Sequence, residues 1–300
     1  MDKVLLFRTI SAAAIDIAIA LGVGCLIAGR WLPDLAADAG TMLRARLATL
    51  QVFASGLLVL GAAGFLLALI AGLSGAQSSA EMRGAMPDVL ATMPGRDAEI
   101  LLAVAIATLL VSIAGVGLWR FARPTVASAL SALCWLAAIA VRAASGHAAE
   151  DGPVSLAVAW QAVHLLAISA WSGAVIVTAG LIPCLREPQQ VRGLLARLSR
   201  MATVALAAVL VSGAVKSYKV LEPAPHLWPL EPWTRILVIK LAAVAVALVC
   251  AVRSRGLLRK PEWGMAEHRR SRINLTAESA AMLVILSLSA LLGGTAPPGE

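Results

Sequence analysis

The stretch Trp160-Gln161-Ala162-Val163-His164-Leu165-Leu166-Ala167-Ile168-Ser169-Ala170-Trp171-Ser172-Gly173 decides how this chain is read. Its apolar residues continue on both sides over 154–183, a run long enough to cross a bilayer as a helix. One titratable group, His164, sits inside it. Helical spacing puts Trp160, His164 and Trp171 on one stripe, with Gln161 at its edge. An ionisable group at membrane depth is costly, so it marks a functional site by default. The plainer reading is an imidazole hydrogen-bonded to a neighbouring helix.

The rest of the chain has the same character. Of 300 residues, 60% are hydrophobic and 14% charged, where a soluble domain carries about 25% charged residues. The apolar residues fall in blocks of span length without period-two alternation, so the expected fold is all-α, a polytopic membrane bundle of eight helices. The spans are expected near 10–29, 48–73, 100–118, 125–145, 154–183, 201–218, 234–252 and 274–293, as one integral membrane domain over 1–300. The first block is read as a retained helix. Asp16 interrupts it, and no convincing small-x-small cleavage site precedes Arg30-Trp31.

Lys and Arg set the expected orientation. The segments 30–47, 119–124, 184–200 and 253–273 hold 3, 2, 4 and 7 of them, 16 in all. The opposite segments hold 5. The positive-inside rule then puts both termini outside. The net charge of +8 is explained by the cytoplasmic loops without nucleic acid, and the basic 253–273 loop is expected to lie against anionic lipid heads. Cys25, Cys134, Cys184 and Cys250 form no CxxC pair and read as small buried thiols. There is no GxxxxGK[ST], Rossmann glycine pattern or HExxH, so ATP-driven pumping and zinc proteolysis lack support, and no enzyme activity is expected.

In this topology the polar residues gather toward the outside. His147 follows span four. His164 lies about ten residues into span five, and Asp16 about one and a half turns into span one. His226 is in the outer loop between spans six and seven, while His268 is in the basic cytoplasmic loop. The outer 74–99 segment carries Met82 and Met86, one turn apart if helical, and Met93. Thioether sulfur suits Cu(I), and imidazole suits Cu(I) or Cu(II). Methionines anchoring an amphipathic loop on the membrane give the same pattern. Lys240 lies deep in span seven and Glu278 near the cytoplasmic start of span eight. With Asp16 and His164 they line a pathway or make structural ion pairs. The candidate metal residues are therefore His147, His164, Asp16, His226, Met82 and Met86, with Trp160, Gln161, Trp171, Lys240 and Glu278 around them or along the pathway.

Several short pieces, in order, resemble the CopD family of bacterial copper-resistance membrane proteins. They are Ser145-Gly146-His147-Ala148, His164-Leu165-Leu166-Ala167, Trp171-Ser172-Gly173, Leu198-Ser199-Arg200-Met201-Ala202, Val211-Ser212-Gly213 and Arg235-Ile236-Leu237-Val238-Ile239-Lys240. Glu278 opening the last helix and Pro297-Pro298 complete the set. The chain departs from the family pattern at Gln161, where an acidic residue often precedes the histidine, and at Ala174, which replaces a second glycine. The resemblance implies a multi-pass bacterial inner-membrane protein that moves copper from periplasm to cytoplasm, with a periplasmic CopC-like copper carrier as partner. Two alternatives remain. Histidines on adjacent helices also ligate haem in membrane cytochromes, and a copper-enzyme assembly factor would hold metal without conducting it.

Reporter fusions test the orientation. Those after Arg123 and Arg259 are expected to read cytoplasmic, and those after Pro153 and Glu300 periplasmic. The opposite pattern would turn the histidines toward the cytoplasm.

Overall fold

The computed structural model describes residues 3–32, 37–76, 78–118, 124–145, 152, 154–221 and 231–295. These form nine α-helices: α1 (Lys3–Trp31), α2 (Ala37–Ser74), α3 (Ser79–Ala91), α4 (Met93–Leu118), α5 (Pro124–Ala143), α6 (Leu156–Leu181), α7 (Pro188–Leu221), α8 (Pro232–Leu258) and α9 (Met265–Gly293). All but α3 contain a segment long and apolar enough to cross a membrane, and each corresponds to one expected span. Large apolar side chains such as Leu60, Leu110, Leu133, Val204 and Val252 stand exposed on their outer faces. Such faces suit lipid and not water, so the chain is a multi-pass membrane protein.

The helices outrun the hydropathy. Helix α2 is 38 residues long, about 57 Å at 1.5 Å per residue, against ~30 Å of hydrocarbon. Helices α7 and α9 likewise begin well before their apolar blocks, at Pro188 and Met265. Hydropathy reports only the part of a helix that meets lipid, while Arg, Gln and Glu propagate the helix into the polar region. Much of what reads as basic loop is therefore basic helix.

That basic end is tied together by its own arginines. Arg197 donates to Trp31 O (3.1 Å) at the end of α1, and Arg192 donates to Leu258 O (3.3 Å) and Lys260 O (3.1 Å) at the end of α8. Each supplies a cation and donors to helix C-terminal carbonyls that lack intrahelical partners. At the opposite end Arg8 donates to Gly294 O (3.3 Å), so the start of α1 and the end of α9 share one face of the bundle.

Helix α1 is central, packed against α2, α5, α6 and α9. Its small residues make this possible. A Cβ on Gly173 of α6 would strike Ala20 O of α1, and one on Gly24 would strike the Gly173 backbone, so the two backbones are in contact. Gly22 gives its space to the Trp135 ring of α5. Gln51 of α2 joins this seam, its amide oriented to donate to Gly22 O (3.3 Å) and accept from Trp135 Nε1 (2.5 Å). On the other side Gly61 and Gly64 of α2 admit Ile15 and Ser11. In lipid, where neighbouring helices gain nothing by hiding apolar surface from water, such close approach is what associates them.

Gly173→Ala is expected to force α1 and α6 apart and sharply reduce folded protein in the membrane. Gly180→Ala, on the same helix with open space around it, should stay within about 0.5 kcal/mol of the parent. Yield and thermal unfolding in detergent check both.

Candidate functional site

Helix α6 starts from a Ser155 cap, whose hydroxyl accepts from Val158 N (3.2 Å). His164 is eight residues beyond Leu156, about 12 Å along the axis. There its Nδ1 meets Ser212 Oγ of α7 at 2.9 Å. Gly213 lies alongside, and a Cβ added there would stand 3.4 Å from the imidazole Cε1.

The tautomer follows from proton bookkeeping. Ser212 has one hydroxyl hydrogen, and it donates along its own helix to Ala208 O (2.5 Å). Its oxygen can therefore only accept from His164, so Nδ1 carries the hydrogen. In that tautomer Nε2 carries the ring's lone pair, and the Val209 backbone carbonyl is a further polar partner of the ring. A hydrogen-bonded Nδ1–H that fixes the ring is the usual second partner of a metal-binding imidazole.

Asp16 sits at a similar depth but is engaged elsewhere. It is 7% exposed, and its Oδ1 pairs with Arg142 Nε of α5 at 3.1 Å. Lys216 lies one helical turn beyond Ser212 on α7, and Lys240 lies on α8. Both act electrostatically on His164, and Asp16, Arg142, Lys216 and Lys240 are within electrostatic reach of one another. The site is therefore an imidazole beside three basic side chains and one carboxylate.

The remaining expected residues fall into place around this centre or away from it. Trp171 is fully buried in the apolar core, its Nε1 without a hydrogen-bond acceptor, while Trp160 and Gln161 are half-buried near the start of α6. Glu278 is buried at another level. Asn274 donates to Cys250 O and Ser254 Oγ, each at 2.7 Å, and this fixes the register of α9 on α8. Glu278 then acts on Cys250 and feels Arg255. Cys250 is ten residues from Lys240, about 15 Å along α8. The four charges of the expected pathway thus occupy two levels. Met82 and Met86 do lie on a helix, α3. Met82 packs against the small cluster of Leu66, Ile70, Val89 and Ala98, whereas Met86 is exposed. His147 and His226 lie outside the described residues. Among the described residues no three His, Cys, Asp or Glu side chains come together.

Arg142, Lys216 and Ser212 were absent from the sequence-based set. Arg142 and Asp16 carried a usable signal, opposite charges at similar depth in two apolar blocks, since buried membrane charges pair with one another. Ser212 stands in the Val211-Ser212-Gly213 piece of the family resemblance, but nothing in the sequence pairs it with His164, because a serine in a transmembrane helix commonly bonds only its own i−4 carbonyl.

Asp16→Asn should strand the Arg142 charge and cost on the order of 3–5 kcal/mol, whereas the double change Asp16→Leu with Arg142→Met should recover most of it. Thermal unfolding of the three proteins checks this. Parental stability in Asp16→Asn, with copper handling lost, would make Asp16 a ligand instead.

Comparison with known proteins bears on the three helices that hold Ser212, Lys216, Lys240 and Glu278. No curated protein and no solved structure matches the chain. Residues 192–292, which span most of α7 and all but the end of α9, match a family model described as copper resistance protein D. That match supports the resemblance carried by the short sequence pieces: over α7, α8 and α9 the chain bears the pattern of the CopD family of copper-resistance membrane proteins.

Proposed function

We propose that this protein moves copper across the bacterial inner membrane, from periplasm to cytoplasm, through a site centred on His164. The observation that carries the reading is the orientation of the His164 ring by its Nδ1–Ser212 contact of 2.9 Å. Ser212 belongs to the segment matched to copper resistance protein D, so a residue of that segment contacts the imidazole inside the apolar run of α6. Copper accepts imidazole nitrogen in either common oxidation state. The orientation rests on the positive-inside rule, by which the basic residues favour the His164 end of α6 outside. A periplasmic CopC-like carrier would then deliver copper to that end, with His147 and His226 as entry residues and Met86 as a further exposed thioether on α3.

Two features shape such a site. The imidazole is a neutral ligand of borderline softness, which binds copper without adding charge of its own. The basic side chains around it oppose a permanently bound cation, which favours passage over storage.

The test is copper flux into proteoliposomes with purified protein. His164→Ala should abolish flux while inserting normally, since removing a polar group lowers the cost of insertion. Ser212→Ala should weaken apparent copper affinity by about 10–100-fold, the usual effect of losing the group that orients a ligand. Flux unchanged in His164→Ala would make His164 a structural hydrogen-bonding residue. Copper binding without flux in the parent would assign the protein to metal holding or assembly.

A further inference from the structure

A cavity of about 150 Å³ lies among α1, α2, α4 and α5. It is at the basic end of the bundle, because Arg30 on its wall adjoins Trp31, whose carbonyl accepts from Arg197. Gly115 of α4 marks the same space independently. It is buried, yet a Cβ built on it would meet no atom within 4 Å. A buried glycine in a membrane bundle commonly admits a neighbouring helix, as Gly24 and Gly173 do here. Gly115 faces open space instead.

The walls are too polar for a dry void. Gln51, Ser112, Ser128 and Ser131 bring one amide and three hydroxyls, and Arg30 brings a guanidinium. Among the described residues that line the cavity there is no Asp or Glu. The wall therefore carries one positive charge, and the occupant it suits is an anion that accepts hydrogen bonds. Exposure shows where the cavity opens. Gln51, Ser112 and Ser131 are buried, whereas Arg30, Val116 and Ser128 are exposed and stand at the mouth. Val116 continues an exposed apolar face of α4 with Ile113 and Leu110. The mouth thus lies where a lipid-facing surface meets the basic end, the place where pockets between membrane helices take anionic head groups. The volume equals about five waters at ~30 Å³ each, room for a phosphate and part of its glycerol but not for acyl chains.

We propose that this cavity binds one anionic phospholipid of the phosphatidylglycerol type. The phosphate pairs with Arg30 at the mouth, the glycerol hydroxyls reach Ser128 and Ser131, and the acyl chains lie outside along Val116, Ile113 and Leu110. The site shares no residue with the His164 centre and does not rest on the copper reading.

The test uses the full-length protein purified in a neutral detergent and mixed with phosphatidylglycerol, phosphatidylcholine or inorganic phosphate. Bound lipid is counted by native mass spectrometry, and thermal midpoints are recorded. Phosphatidylglycerol should raise the midpoint saturably, with one molecule retained per chain at concentrations where phosphatidylcholine is not. Arg30→Gln should weaken retention about tenfold or more, the value of one lost charge-assisted hydrogen bond. Gly115→Leu should abolish it by filling the space, while Gly115→Ala should keep most of it. Both replacements favour a helix over glycine, so α4 itself is not weakened. Arg270→Gln, at an exposed position of α9, should bind as the parent does. Retention of neither lipid, or equal retention of both, would overturn the proposal, as would parental phosphatidylglycerol binding in both Arg30→Gln and Gly115→Leu. So would an Arg30-dependent stabilisation by inorganic phosphate that phosphatidylglycerol does not reproduce, which would assign the cavity to a free anion.

Discussion

The backbone contact between α1 and α6 governs the rest of this molecule. Gly24 and Gly173 lack side chains at the crossing, and Ala20 adds only a methyl group, so the two helices meet at backbone distance. This crossing sets the relative height of everything above it. Asp16 lies two turns from Gly24 along α1, and His164 lies nine residues from Gly173 along α6. Since both helices run in the same direction, those offsets bring the carboxylate and the imidazole toward one level of the bundle. A wider crossing would let either helix slide and would separate them.

What surrounds that level is governed by the cost of charge in lipid. Asp16 is tolerated because Arg142 neutralises it at 3.1 Å. His164 is tolerated because Ser212 satisfies Nδ1. The opposite end of the bundle solves the same problem differently. There Arg192 and Arg197 sit on helix C-terminal carbonyls, where solvent and lipid head groups are near and the charges serve as struts.

Much of the architecture was legible in the sequence. Eight apolar blocks became eight long helices, because a backbone that crosses lipid must satisfy its own hydrogen bonds. His164 was singled out because an ionisable residue in such a block is conspicuous, and the structure gives it a defined partner. The helix ends were misread at α2, α7 and α9, since hydropathy cannot see a helix that continues into water. The site's membership was only partly legible. Arg142 pairs with Asp16 and Ser212 with His164 across helices, and neither pairing is spelled out in the linear sequence.

By itself, then, the sequence determined the class of the protein, the number of spans, the distribution of basic residues between the two ends and the imidazole at membrane depth. These follow from composition along one dimension, where lipid demands about twenty apolar residues per crossing and punishes each exception. Only the tertiary structure decided that Asp16 belongs to Arg142, that Ser212 fixes the His164 tautomer, and that Glu278 lies at a different level from Lys240. Those outcomes depend on which helices touch and in what register. That register is set by glycine crossings such as Gly24 on Gly173 and by single anchors such as Asn274 on Cys250 O, contacts between residues far apart in the chain that leave no periodic trace in it.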